Sequence, residues 1–171
     1  MRILIFVLLL SPLFSFAQKT DVFVKLTDAK GQQIRGEAVL KGFERWIGAT
    51  SINSGGKNNS QLNFTMNISG ASADLKRALT GGELLLNGQV TVTTLDASSG
   101  RWTTVYTIKM ETISVSACSE TMGCNNQMTT SVTLNATRIG WTYYQTDKTG
   151  ALAVSNKYGY DAEKGGEWID F

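Results

Sequence analysis

Between Gln61 and Ser69 polar and apolar residues alternate without a break: Leu62, Phe64, Met66 and Ile68 share one parity, and Gln61, Asn63, Thr65, Asn67 and Ser69 the other. Successive side chains of an extended chain point to opposite faces, so this stretch can bury one face and wet the other only as a β-strand. The same period returns from Leu84 to Thr94, where Leu84, Leu86, Val90 and Val92 oppose Asn87, Gln89, Thr91 and Thr93. A chain dominated by this period has to build sheets.

Two longer stretches change face partway. Trp102, Tyr106, Ile108 and Met110 give way to Ile113 and Val115, and Met128, Val132, Leu134 and Ala136 give way to Ile139, Trp141 and Tyr143. These switches predict β-bulges near Glu111 and Thr112, and near Thr137 or Arg138. Long strands that change face are what a coiled, closing sheet uses to turn corners. The expected fold is therefore mainly β: an antiparallel β-barrel with one short helix.

Toward the start of the chain, Val22, Val24 and Leu26 lead into the turn Asp28-Ala29-Lys30-Gly31, from which Ile34 to Leu40 can return antiparallel. Phe43 to Ile52 reads as a further strand with Trp46 inside it, and Asn53 to Ser60 (NSGGKNNS) reads as a loop by composition. Asp96 to Gly100 is a compact turn. The helical stretch has Ser72 as its cap, Leu75, Ala78 and Leu79 at helical spacing, and Gly81-Gly82 as its stop.

The chain has 171 residues, 42% hydrophobic and without histidine. A body of this size folds as one unit and builds a core without metal. The missing histidine removes Ser-His-Asp and Cys-His nucleophile machinery and His-ligated zinc sites. No cofactor or metal is expected. A formal charge of +2 is too small for a protein whose affinity rests on neutralising many phosphates, so a nucleic-acid partner is not expected either.

Residues 1–17 have the layout of a secretory signal peptide: Arg2, the apolar run Ile3 to Leu10, and the small residues of Ser15-Phe16-Ala17. Cleavage is expected between Ala17 and Gln18, leaving residues 18–171 as a single domain in the periplasm or outside the cell. The run ends at Pro12, well short of the roughly 20 apolar residues that span a bilayer. In such an oxidising compartment Cys118 and Cys124 are expected to form a disulfide at a hairpin tip. Their spacing is not that of a low-pKa Cys-x-x-Cys redox pair.

Trp102, Trp141, Trp168, Tyr143 and Tyr144 could form a carbohydrate-stacking face, but Trp102 and Trp141 fit the apolar parity of their strands and are expected in the core. Trp168 follows a Gly-rich stretch and is expected to dock on the barrel or on a neighbour. Asp161, Glu163, Glu167 and Asp170 are expected in a solvated tail, where nothing would raise a carboxyl pKa for acid and base work.

DVFVKLTDAKGQQIRGEA, GFERWIGATSI with the Gly-rich loop after it, and QLNFTMNISGAS leading into ADLKRALTGG resemble the Hcp family, the tube-forming proteins of type VI secretion systems. LLLNGQVTVTTLDASSGRWTTVYTIKMETISVSA, SVTLNATRIGWTYYQTDKTG and KYGYD continue the resemblance in order, from about Asp21 to Asp161. The resemblance implies a structural protein and not an enzyme. Its partners would be copies of itself in a homohexameric ring that can stack, together with effector cargo or secretion-apparatus proteins. It also implies that Ser54, Gly55, Gly56, Lys57 and Asn58 lie in a loop that reaches toward the neighbouring ring. The alternative reading is a secreted, monomeric β-barrel module that binds a glycan or peptide.

Overall fold

The computed structural model describes residues 19–55, 60–96, 99–123, 126–146 and 151–171. Its elements in chain order are β1 (Thr20–Thr27), β2 (Ile47–Ser54), β3 (Gln61–Asn67), α1 (Gly70–Gly81), β4 (Leu84–Leu95), β5 (Trp102–Met122), β6 (Met128–Thr146), β7 (Leu152–Asp161) and β8 (Gly166–Glu167). All pairings are antiparallel, in the order β3-β2-β1-β4-β5-β6-β7-β8, and β3 also pairs with β6. That extra pairing closes six strands into a barrel, which removes the open edges a flat sheet would leave.

Strand β6 divides its free side between two partners. Residues up to Asn135 pair with β3, and residues from Arg138 pair with β7. Strand β5 follows β6 from Tyr106↔Tyr143 to Met122↔Met128. The β6–β7 hairpin is therefore an overhang that continues the barrel wall past the point where β3 begins.

Most of the period-two residues fill the barrel, but Ile68, Leu84 and Leu86 are exposed, and below the face change on β4 it is Leu85 that turns inward. Val24 and Leu26, Leu62, Phe64 and Met66, Ile108 and Met110, Ile113 and Val115, and Val132 and Leu134 form one buried cluster. Helix α1 adds Ala71, Leu75 and Ala78 to it. The cap lies earlier than the sequence indicated. Ser69 is the N-cap, and Ser72 is the third helical residue. The Ser72 hydroxyl takes the Ser69 backbone N–H at 3.2 Å and meets the Thr130 hydroxyl at 2.8 Å. It faces the barrel because a Ser at that position can serve both groups. Gly82, at φ 63°, ends the helix, as only a residue free of Cβ strain does comfortably.

The face changes occur where the sequence placed them, but they are not bulges. Leu85↔Ile113 and Asn87↔Glu111 keep one register, as do Glu111↔Arg138 and Ile113↔Ala136. Three adjacent strands change face at the same level, so none needs an extra residue relative to its neighbours. Thr112 takes φ 50° at this crease. On its inner side a Cβ at Gly88 would come within 2.7 Å of Ile113 Cδ1 and 2.9 Å of Met110 Cε, so a side chain there would displace both ends. The register shifts fall instead at Ala49/Ser51, Val92/Thr93, Val115/Ala117 and Tyr143/Tyr144.

Ile34 to Leu40 does not return as a strand. After the single bridge Thr27↔Gln33 the chain leaves β1, and β2 takes that edge through Val22↔Ala49 to Val24↔Ile47. Trp46 precedes β2 and is not inside it. The excursion lies over the outer face of β1, where Phe43 stacks on Phe23 at 4.4 Å and Trp46 meets Phe43 edge-on at 5.2 Å. Burying Phe23 from outside requires this cover, and a strand in its place would leave the ring wet.

Candidate functional site

At the end of the barrel where β2 stops and β3 begins, the indole N–H of Trp141 donates to the Ser54 hydroxyl at 3.2 Å. The same hydroxyl lies 3.3 Å from the Tyr106 phenol. Burial is the main cause that pushes the Tyr106 phenol far above its ordinary pKa, so it stays neutral as a partner to Ser54. Tyr143 pairs with Tyr106 at 4.7 Å between ring centres, and Tyr158 stacks on Trp141 at 5.8 Å. Trp141 is buried, whereas Tyr143 and Tyr158 are 46% and 44% exposed. These rings form an aromatic shelf on the core-facing side of the β6–β7 overhang, and the stretch from Ile139 to Thr146 that carries half of it has no charged residue.

The back of the overhang is fastened by the last residues of the chain. Gly140 and Gly159 are register partners, and the Phe171 ring lies on this pair. A Cβ at Gly140 would meet the ring at 2.5 Å, and one at Gly159 would collide with the Trp168 carbonyl oxygen. Trp168 N–H donates to Gly159 O at 3.0 Å, and Lys157 Nζ donates to the carbonyl oxygens of Ile169 and Phe171. Sequence reasoning missed this clasp. Its signal was two glycines in the middle of strands, which mark close backbone approach.

Ser54 and Gly55 are the root of the loop expected to reach a neighbouring ring, and they are held in place. Ser54 is committed to Trp141 and Tyr106, and Gly55 N–H donates to Gln61 O at 3.2 Å. Gly56, Lys57 and Asn58 lie outside the described residues, as do Ala17, Gln18 and Cys124.

Cys118 is a free thiol. It pairs with Val132 within a ladder that continues to Met122↔Met128, and Gly123 N–H then donates to Gln127 O. Those five extended residues span about 16 Å from Cys118 to Gly123, whereas a disulfide needs Cα atoms within about 7 Å. Burial is also the main cause that raises the Cys118 thiol pKa.

Trp168 docks on its own barrel and is buried, beneath the Arg138 guanidinium. Trp102 is half-buried under Lys19 and is not part of the core cluster. Asp161 is buried and not solvated, because its carboxylate accepts the N–H groups of Glu163 and Lys164 at 3.0 and 3.1 Å and so shapes the turn into β8. Glu163, Glu167 and Asp170 are exposed, as expected of a tail.

An open groove of about 440 Å³ lies between the clasp and the outer barrel wall, lined by Lys25, Gln89, Lys109, Glu111, Trp168 and Phe171 among others. Glu111 is already paired with Arg138 at 3.1 Å. Among the described residues no cluster of acidic or thiol side chains has the makings of a metal site.

A family model described as "Type VI secretion system effector, Hcp" matches residues 23–143. Among solved structures, one described as a type six secretion system protein superposes with a TM-score of 0.72 at 18% identity, covering 88% of this chain and 100% of that one. Hcp1 from Salmonella typhimurium gives 0.69 at 18% identity, with 87% and 99% covered. The secreted protein Hcp3 from Pseudomonas aeruginosa gives 0.65 at 19% identity, with 84% and 98% covered. No curated protein sequence matches the chain significantly. At these identities the structural likeness speaks for the fold.

Proposed function

Because the chain belongs to the family described as type VI secretion system effector, Hcp, we propose that it is a structural ring-forming protein that acts by assembling with copies of itself. The observation that carries this reading is the family match, which runs from within β1 to within β6, through the helix and all six strands of the closed barrel. The reading assigns the chain a homohexameric ring that stacks into a tube, with effector or apparatus proteins as further partners. A ring contact is heterologous, with different faces meeting at each joint, and it requires upwards of about 1,000 Å² of complementary surface. The Ser54 to Asn58 loop, rooted firmly at Ser54, would contact the next ring. Residues 1–17 would direct export and be cleaved before Gln18, so that assembly takes place in the periplasm or outside the cell.

The test is the mass of purified Gln18 to Phe171 by light scattering after size exclusion at micromolar concentration, with and without reductant. A mass near six protomers supports the ring. A monomer at every concentration overturns it and leaves the aromatic shelf as a place for a glycan or peptide.

A further inference from the structure

We propose that the β6–β7 overhang is the surface by which one copy of this chain grips the next, an assignment that rests on the ring reading. Among the described residues β8 covers the outer edge of β7 only at Tyr160 and Asp161. Leu152 to Tyr158 therefore present an edge without a ladder partner, and every residue in that run is exposed. Exposed apolar edges invite strand pairing, and proteins usually blunt them or cover them.

The overhang is apolar on both faces. Tyr143 and Tyr158 stand on the core-facing side. The register shift at Tyr143/Tyr144 puts Val154 opposite Tyr144 and Leu152 opposite Thr146, on the other side. Tyr143, Leu152, Val154 and Tyr158 are 46, 47, 57 and 44% exposed. The two tyrosines on one side and the two aliphatic residues on the other each offer on the order of 200 Å² of exposed side chain. Either side alone is about a quarter of what each partner buries in a standard stable interface.

The charge pattern fits a second copy. Interface centres are poor in charged residues, and the sole charge on β7 from Leu152 to Tyr158, Lys157, is turned to the carbonyl oxygens of Ile169 and Phe171. The same molecule also carries an uncharged outer wall, where Thr133 bonds Asn63 at 2.7 Å and Thr65 meets Ser131 at 3.4 Å across β3 and β6. Apart from Lys157, which is held against the Ile169 and Phe171 carbonyl oxygens, the overhang and the wall meet without stripping water from an ion. The Gly140/Gly159 clasp holds the overhang in one position before contact, which lowers the ordering cost of association.

The experiment compares the wild-type chain with Val154→Lys and Leu152→Glu, and with Val39→Lys as a control at a 90% exposed site on the excursion over β1. Sedimentation and light scattering read assembly, thermal melting reads folding, and hydrogen exchange reads the β7 amides. The expected result is an oligomer for the wild type and Val39→Lys, and at least tenfold weaker association for the two overhang variants at unchanged melting temperature. The β7 amides should exchange slowly in the oligomer and fast on dilution to monomer. If the wild type assembles and the overhang variants assemble equally well, the overhang assignment is overturned and the ring reading stands. A wild-type chain that never assembles overturns the ring reading, and the overhang assignment with it.

Discussion

Gly140→Ala should destabilise the protein only while Phe171 is present. The new Cβ would lie 2.5 Å from the ring, about 1 Å inside ordinary contact, so the ring has to lift. Lifting a half-buried phenylalanine loses about 1 to 1.5 kcal/mol of apolar burial, and about 0.5 kcal/mol more as Lys157, now 4.0 Å from the ring centre, loses the aromatic face. Against this, alanine in a strand gains about 0.5 to 1 kcal/mol over glycine. The net is a loss of about 1 kcal/mol, or roughly 2 to 4 °C in Tm at this chain length. In a Phe171→Ala background the collision is absent, and the same change should stabilise by about 0.5 to 1 kcal/mol. Urea unfolding of the four variants closes the cycle, and its coupling should be about 1.5 to 2 kcal/mol. Additive effects within about 0.3 kcal/mol would refute the clasp as the reason for the glycine pair.

Intact mass after alkylation without reductant should show Cys118 modified and no bond to Cys124. Because burial raises the Cys118 thiol pKa, thiolate is scarce near neutral pH, and labelling of the native chain should stay slow there and accelerate only above the ordinary thiol range. Ser72→Ala removes the partner 2.8 Å from the fully buried Thr130 hydroxyl and should cost about 1 to 3 kcal/mol in urea unfolding. Thr80→Ala, whose hydroxyl bonds only its own helix backbone, should change stability far less.

The strands were legible because their cause is local. Leu62, Phe64 and Met66 face inward by the geometry of an extended chain, and the double switch at Glu111/Thr112 and Thr137/Arg138 was readable from parity alone. Parity could not reveal that the two switches align across three strands, which makes a crease instead of two bulges. The helix was found from Leu75 and Ala78, but its cap was misplaced by three residues, because Ser69 and Ser72 are equally good local candidates and Thr130, distant in sequence, decides which of them faces the barrel.

The clasp, the overhang and the cysteines show a different limit. Gly140 and Gly159 are register partners separated by a hairpin, and Phe171 reaches them only after β7 has turned back through Asp161. Cys118 and Cys124 are close in sequence, yet paired extended strand keeps the first far from the hairpin tip. By itself the sequence determined which segments extend, which faces are apolar, and the absence of histidine chemistry, since each follows from residue type and spacing. Tertiary structure alone decided that β6 leaves β3 for β7 after Asn135, that an apolar edge stays open there, and that a phenylalanine locks it from behind. Those outcomes depend on which distant strands compete for the same hydrogen bonds, and that competition is settled only when the barrel closes.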